Sequence, residues 1–227
     1  MRPSPDSQQV LTVSVSVLIP TFNRAKYLGR CIRSLISQNF PHDKYEIIVI
    51  DDDSEDEIDF AILPFKDDVR LIRNSTNLGL PSSLNKGLEA ATGEYIVRVD
   101  SDDFVSMEFL RSLFFYMNNH PSKDAVACDY FIINDDGQVL SRESARDKPI
   151  ACGVMYRRSN MLEIGGYDAR FRILEDVEFA KRFLEKFSIE YLPLPLYRYR
   201  RHDGNITNDT ESINKFQKLL KMNRSGN

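Results

Sequence analysis

Two carboxylates spaced two apart, Asp100 and Asp102, close an apolar run in this 227-residue chain, and Asp103 follows at once. Acids spaced this way after a strand can present oxygens to a hard divalent cation, Mg2+ or Mn2+, together with diphosphate oxygens. A cation so held would neutralise charge on a departing diphosphate. A solvated acidic turn has the same sequence. Asp51-Asp52-Asp53 ends an earlier apolar run. A carboxylate there can accept from the N–H of a base or from ribose hydroxyls, and a turn with Ser54 capping a helix fits the same residues. Glu175-Asp176 opens an amphipathic stretch. Acids at a helix start favour the dipole, and a general base taking a proton from an attacking hydroxyl fits the same pair.

The elements that must hold these acids follow from hydrophobic periodicity. The β-branched run 13–19 predicts a strand stopping at Pro20. Tyr27, Leu28, Cys31, Ile32, Leu35 and Ile36 recur at helical spacing and predict a helix over 25–37. The unbroken run 46–50 predicts a strand covered on both faces. A shorter strand is expected over 69–73, a turn at Asn77-Leu78-Gly79, and a helix over 82–91 with Gly93 as its C-terminal cap. Strand 94–99 then leads into Asp100. Downstream the pattern predicts a helix over 107–118 and a strand over 125–133. A hairpin turn at Asn134-Asp135-Asp136-Gly137 leads into 138–140. A helix lies within 173–187, and a last strand over 189–196 carries two prolines that predict an edge.

Strands and helices alternating with short connections predict an α/β fold with a mixed, mostly parallel sheet flanked by helices. In such sheets ligands bind beyond the carboxyl ends of the strands. Three of those ends carry Pro20-Thr21-Phe22-Asn23, Asp51-Asp52-Asp53-Ser54 and Asp100-Ser101-Asp102-Asp103, so one rim collects the polar residues. No repeat or linker divides the chain. The expected layout is an N-terminal extension over 1–12, a single domain over 13–205 with halves 13–103 and 104–205, and a tail over 206–227.

Acids outnumber bases by 34 to 30, with 42% apolar residues. This suits a sizeable core and argues against a nucleic-acid binder, whose footprint is basic. Cys31, Cys128 and Cys152 are widely spaced with no CxxC, as expected of reduced, buried thiols in a cytoplasmic protein. Residues 1–9 lack the apolar segment of a signal peptide, and no run is long enough to span a bilayer. The glycosylation-like tripeptides at Asn74, Asn205, Asn208 and Asn223 read as turn and capping residues. His42 and His120, each beside proline, read as loop residues, and Asp67-Asp68 and Asp135-Asp136 as ordinary loop acids. In the tail, Ile213, Phe216, Leu219 and Leu220 share a helical face bordered by Lys215, Lys218 and Lys221. A helix packed on the domain or a partner fits this pattern, and so does peripheral contact with the inner face of a membrane.

Taken in order, the first rim segment with Arg24, the Asp51–Ser54 segment, Arg73-Asn74 with Asn77-Leu78-Gly79, Ala91-Thr92-Gly93-Glu94-Tyr95-Ile96, Asp100-Ser101-Asp102-Asp103, Gly165-Gly166-Tyr167-Asp168 and Glu175-Asp176 resemble the inverting glycosyltransferases of family 2. The resemblance runs over residues 13–202 and implies the Rossmann-like GT-A fold. It also implies roles. Pro20, Thr21, Phe22 and Asn23 would line a nucleotide pocket, Asp52 would contact the base, usually uracil, and Asn77 and Gly79 would shape the neighbouring loop. Asp100 and Asp102 would form the DxD motif, with Asp102 the more direct partner of Mn2+ or Mg2+. Asp176 would deprotonate an acceptor hydroxyl that displaces a nucleoside diphosphate in line and inverts the anomeric carbon. The implied partners are a nucleotide-sugar donor, usually a UDP-sugar, and a saccharide or lipid-linked acceptor, as in cell-surface polysaccharide or glycoconjugate synthesis.

Asp53 stands where the family commonly has Gly or Asn, and Asp tolerates left-handed backbone. The chain has no Trp, so the Gln-x-x-Arg-Trp signature of processive members is missing and one sugar per encounter is expected. Arg200 is a candidate phosphate contact and His202 a candidate ligand of metal or phosphate. Glu175, Arg157, Arg158, Arg170 and Arg172 are further candidates for acceptor or phosphate. A sugar-phosphate nucleotidyltransferase would need a glycine-rich phosphate loop after the first strand, where Pro20-Thr21-Phe22-Asn23-Arg24 has no glycine. A catalytically silent nucleotide-sugar-binding module would keep the fold, but retention of Asp52, Asp102 and Asp176 together counts against it.

Overall fold

A computed structural model describes residues 13–202. The expected N-terminal extension, the expected tail helix and Asn205, Asn208 and Asn223 lie outside the described residues. The elements run β1 (Val15–Thr21), α1 (Ala25–Ile36), β2 (Tyr45–Asp51), α2 (Ile58–Ile62), β3 (Val69–Arg73), α3 (Leu80–Ala90), β4 (Tyr95–Arg98) and β5 (Phe104–Val105). They continue through α4 (Phe109–Asn119), β6 (Ala125–Ile133), β7 (Val139–Glu143), β8 (Val154–Arg157), α5 (Arg158–Glu163), α6 (Glu175–Lys186) and β9 (Ile189–Arg200). All strands join one sheet in the order β3-β2-β1-β4-β8-β6-β9-β5, with β7 paired to β6. The β3-β2-β1-β4 half is parallel, and β8 runs antiparallel to both β4 and β6.

The central parallel strands β1, β2 and β4 are mostly apolar because both of their faces are covered, whereas β3 at the edge is largely exposed. Val17, Ile19, Ile47 and Val49 pack on one face with Leu28, Ile32 and Leu35 of α1 and Leu113 and Met117 of α4. Leu18, Ile48 and Ile50 pack on the other with Leu84 and Leu88 of α3 and Phe179 and Phe183 of α6. Each such side chain contributes about 1.5–3 kcal/mol when fully buried. Ser16 is buried in β1 and donates to Glu46 Oε1 at 2.6 Å. The same carboxylate accepts from the Thr92 N–H and hydroxyl.

Several expectations change. β1 continues through Pro20 to Thr21, because the register with β4 ends at Leu18↔Arg98 and the missing amide of Pro20 costs that ladder nothing. β9 extends to Arg200 and lies between β6 and β5, so β5 is the edge. Its prolines are accommodated where the register with β6 slips at Cys128/Asp129 and Asp129/Tyr130. Short β5, β8, α2 and α5 were not expected from periodicity. The three cysteines are free and buried. Asp135 is not an idle loop acid: it accepts from Tyr27 Oη at 2.6 Å and Lys26 Nζ at 2.9 Å. The His42 ring meets Tyr45 and the His120 ring meets Tyr116. Among the described residues no helix is long and apolar enough to cross a membrane.

Gly93 serves a different purpose from the expected cap. α3 ends at Ala90 with Ala91 extended (φ −68°, ψ 139°). Gly93 instead passes against β1, donating its N–H to Ser16 Oγ at 2.9 Å. A β-carbon there would lie 2.6 Å from the Ser16 amide nitrogen and 2.8 Å from the Val15 carbonyl carbon. Backbone cannot yield as a side chain does, so Gly93→Ala is expected to lower stability by about 1–3 kcal/mol, read as a lower urea midpoint. A midpoint equal to wild type would show that the β1 contact is not this tight.

Candidate active site

The carboxyl ends of β1, β2 and β4 form one rim, as the parallel register requires. Two of its loops are stitched together before any ligand is considered. Asn23, left-handed at φ 53°, donates its N–H to Ser54 Oγ and accepts from the Glu55 N–H. Asp56 accepts from the Ala25 N–H at 2.7 Å and so satisfies the start of α1. Ser54 therefore ties two loops and does not cap a helix. Asp53 adopts φ 68°, the left-handed turn its side chain tolerates.

Asp51 and Asp52 are both buried. Asp51 accepts from the Ser54 N–H and from Arg73 Nε at 2.9 Å. Asp52 Oδ1 accepts from Asn74 Nδ2 at 2.7 Å and the Leu78 N–H, and Oδ2 from the Gly79 N–H at 2.8 Å. Lys86 holds Asn74 through its Oδ1 at 2.7 Å. Asp52 thus fixes the shape of the Asn77–Gly79 loop, with Gly79 at φ 88°. Pro20 is buried, Phe22 and Asn77 are exposed at the rim, and the Thr21 hydroxyl is buried without a hydrogen-bond partner.

At the end of β4, Arg98 is only 6% exposed. Its Nε and Nη2 grip both oxygens of Asp100 at 2.6 and 3.1 Å, and Nη1 donates to Glu175 Oε1 at 2.9 Å. Burial disfavours charge on Arg98, but Asp100 and Glu175 outweigh it and hold the guanidinium protonated. Burial raises the Glu175 carboxyl above its ordinary value, with Arg98 opposing the shift. Glu175 therefore lies under the rim as a partner of Arg98, which corrects its expected role as an acceptor or phosphate contact. Its neighbour Asp176 is partly exposed and accepts from the Val177 N–H. The Arg98 bridge ties the first turn of α6 to the Asp100–Asp103 loop.

α6 is also held from behind. Asn85 on α3 clamps Tyr167 through both its N–H and C=O at 2.8 and 2.7 Å. Arg182, paired with Glu178, donates to the carbonyls of Ile164 and Gly166. Leu174, left-handed at φ 63°, makes the turn into the helix.

The Asp100–Asp103 loop is tied to β9 as well. Tyr197 Oη donates to Asp103 Oδ2 at 2.6 Å and accepts from the Asp100 N–H. The Arg200 N–H donates to Asp103 Oδ1, and its side chain to the carbonyls of Asp102, Asn134 and Asp135. Burial, with Asp102 and Asp100 close by, pushes the Asp103 carboxyl well above the usual range. Arg200 is buried and engaged with backbone, which corrects its expected role as a phosphate contact. Arg157 is similarly spent on Glu94 and the carbonyls of Lys123 and Pro121. Arg158 reaches the Leu88 carbonyl and Arg170 pairs with Asp168.

Asp102 and His202 converge, with Oδ2 and Nε2 2.9 Å apart and Arg24 Nε 3.8 Å from the same carboxylate. A partly exposed carboxylate and an imidazole make a donor set suited to Mn2+ or Mg2+ with water and phosphate oxygens completing the shell. Asp100, Asp103 and Cys152 also bring ligand atoms within 4.8 Å of one another. That trio fits a cation less well. Arg98 occupies Asp100, Tyr197 and the Arg200 amide occupy Asp103, and burial keeps the Cys152 thiol protonated. Sequence reasoning missed Arg98, Tyr197 and Lys86, and quoted Asn74 only within a matching segment, with no link to Asp52. The signal for Arg98 was present, as a lone charge inside the apolar run 95–99.

Comparison with known proteins fits this layout. EpsH of Bacillus subtilis, named as a glycosyltransferase, is 30% identical over 236 residues, covering 92% of this chain and 65% of EpsH. EpsE of the same organism is 30% identical over 204 residues, covering 82% of this chain and 72% of EpsE. Staphylococcus aureus TarS 1–349 in complex with UDP-GlcNAc has the same fold, with a TM-score of 0.75 at 22% identity over 87% of this chain and 61% of that one. The mannosyltransferase PcManGT from Pyrobaculum calidifontis, in complex with GDP-Man and Mn2+, gives 0.68 at 20% identity over 84% and 58%. The chain thus spans less than two-thirds of EpsH and of both solved chains. The expected GT-A architecture is the one observed. With the family model described as "Glycosyl transferase family 2" matching residues 16–188, the chain belongs to glycosyl transferase family 2.

Proposed function

We propose that the protein is a non-processive, inverting, metal-dependent glycosyltransferase that moves a sugar from a nucleotide-diphospho-sugar, with UDP preferred, to an acceptor hydroxyl. The observation that carries this reading is the Arg98 bridge, which joins the turn bearing Asp176 to the loop bearing Asp102. The two solved relatives bind UDP-GlcNAc and GDP-Man, which supports a nucleotide-sugar donor.

The nucleotide would lie across the rim between the Phe22 ring and the Asn77–Gly79 loop. The Thr21 hydroxyl, buried just beneath this rim, has no hydrogen-bond partner among the described residues. Asp52, already accepting from Asn74 Nδ2 and the Leu78 and Gly79 amides, retains a lone pair on Oδ2 for a base N–H. Asp102 and His202 would hold the divalent cation, which when bound offsets charge on the leaving diphosphate. Asp176 takes the proton from the acceptor hydroxyl as its oxygen attacks the anomeric carbon, opposite the departing diphosphate. Fixing Asp176 through its buried neighbour Glu175 supplies the positioning on which in-line displacement depends. The acceptor is a saccharide or a lipid-linked glycan of a cell-surface polymer, met at the inner face of the membrane.

Asp176→Asn is expected to keep Mn2+-dependent affinity for UDP, measured calorimetrically, while turnover of the UDP-sugar falls about 10²–10⁴-fold. Turnover near wild type would remove Asp176 as the base. Chelating divalent ions, or replacing Asp102 with Ala, is expected to abolish the metal-dependent part of nucleotide binding. Identical titrations with and without Mn2+, for wild type and variant alike, would remove Asp102 as a metal ligand.

A further inference from the structure

We infer that Arg172 is a donor-binding residue, whose guanidinium engages the phosphate oxygens of the nucleoside diphosphate from the acceptor half of the molecule. The assignment rests on the nucleotide-sugar reading above and adds a contact to it.

Position is the first ground. A β-carbon built on Gly79 would lie 3.4 Å from Arg172 Nε and 3.5 and 3.6 Å from its Cγ and Cδ. The Arg172 side chain therefore spans the cleft and lies over the loop whose amide holds Asp52, although it leaves the chain only four residues before Asp176. Gly79 gives the loop its left-handed turn and also leaves the room that Arg172 occupies.

The second ground is the absence of a partner. Arg172 is exposed, and among the described residues it makes no hydrogen bond or ion pair. The arginines around it are spoken for: Arg73 by Asp51 and Asp59, Arg98 by Asp100 and Glu175, Arg170 by Asp168, Arg182 by Glu178. Its backbone is nonetheless anchored, since Phe171 is fully buried and Tyr167 is clamped by Asn85. A fixed stem with an unengaged cationic head does little for stability and suits a ligand contact.

Charge balance is the third. Asp102 and Asp176 keep partly exposed carboxylates at the rim, with Asp52 buried just beneath it, and a diphosphate entering there meets like charge. Arg24, 3.8 Å from Asp102, and a cation between Asp102 and His202 offset this at one end only. The guanidinium at Gly79 offsets it at the other, with a planar fork that matches phosphate oxygens.

Calorimetric titration with UDP in the presence of Mn2+, on wild type, Arg172→Ala and Arg172→Lys, tests the assignment without relying on turnover. Arg172→Ala is expected to bind UDP about tenfold or more weakly, at an unchanged melting temperature. Arg172→Lys, which keeps the charge but loses the fork, is expected to fall between Ala and wild type. Equal UDP affinity for Arg172→Ala and wild type would overturn the proposal. Lys no better than Ala would overturn the phosphate contact, since charge would then not matter. A wild type that binds none of UDP, GDP or dTDP would overturn the donor reading and this contact with it. Wild-type binding matched by Arg172→Ala would overturn this contact alone.

Discussion

A buried guanidinium has to find anions, and Arg98 finds them in two places that the chain separates by 75 residues. Asp100 comes from the loop at the end of its own strand, Glu175 from the first turn of α6. Glu175 needs the partner as much as Arg98 does, for it is itself only 6% exposed. Removing one member of such a set typically costs about 3–5 kcal/mol, because the charge left behind stays buried. The triad is complete only when the start of α6 has packed against the end of β4. The Asp100–Asp103 loop and the turn bearing Asp176 are therefore held by one buried bridge.

The remaining acids divide according to whether the protein itself satisfies them. Asp51, Asp52 and Asp103 are buried and hold loops in shape through backbone amides, Arg73, Asn74 and Tyr197. Asp102 and Asp176 keep partial exposure at the rim. The acids thus fall into two sets, internal scaffolding beneath the rim and carboxylates left accessible on it. The fold keeps buried and exposed acids apart by depth: a carboxylate one residue from the proposed base, as Glu175 is from Asp176, serves as a buried partner of Arg98.

Long periodic elements and the rim positions were legible in the sequence, since the apolar strands and the polar residues ending them declare themselves by period and by contrast. β5, β8, α2 and α5 were not, because two to six residues are too few to show a period. Gly93 was misjudged because a cap and a close backbone approach both select glycine, and only the position of β1 tells them apart. Arg200 and Arg157 looked available for phosphate because sequence carries the charge of a side chain but not the carbonyls that surround it. His202 and Asp102 stand 100 residues apart and meet through the β5–β9 pairing, a long-range register that no local pattern specifies.

The coupling of Arg98 to Glu175 can be measured by a double-mutant cycle on turnover of the nucleotide-sugar, using Arg98→Met, Glu175→Gln and the double variant, with each variant's melting temperature recorded alongside. If the bridge positions Asp176, the two losses are strongly non-additive, with a coupling of about 0.5–3 kcal/mol and a double variant little worse than Arg98→Met alone. Losses that simply add would contradict it, because Arg98 and Glu175 would then act on the reaction independently.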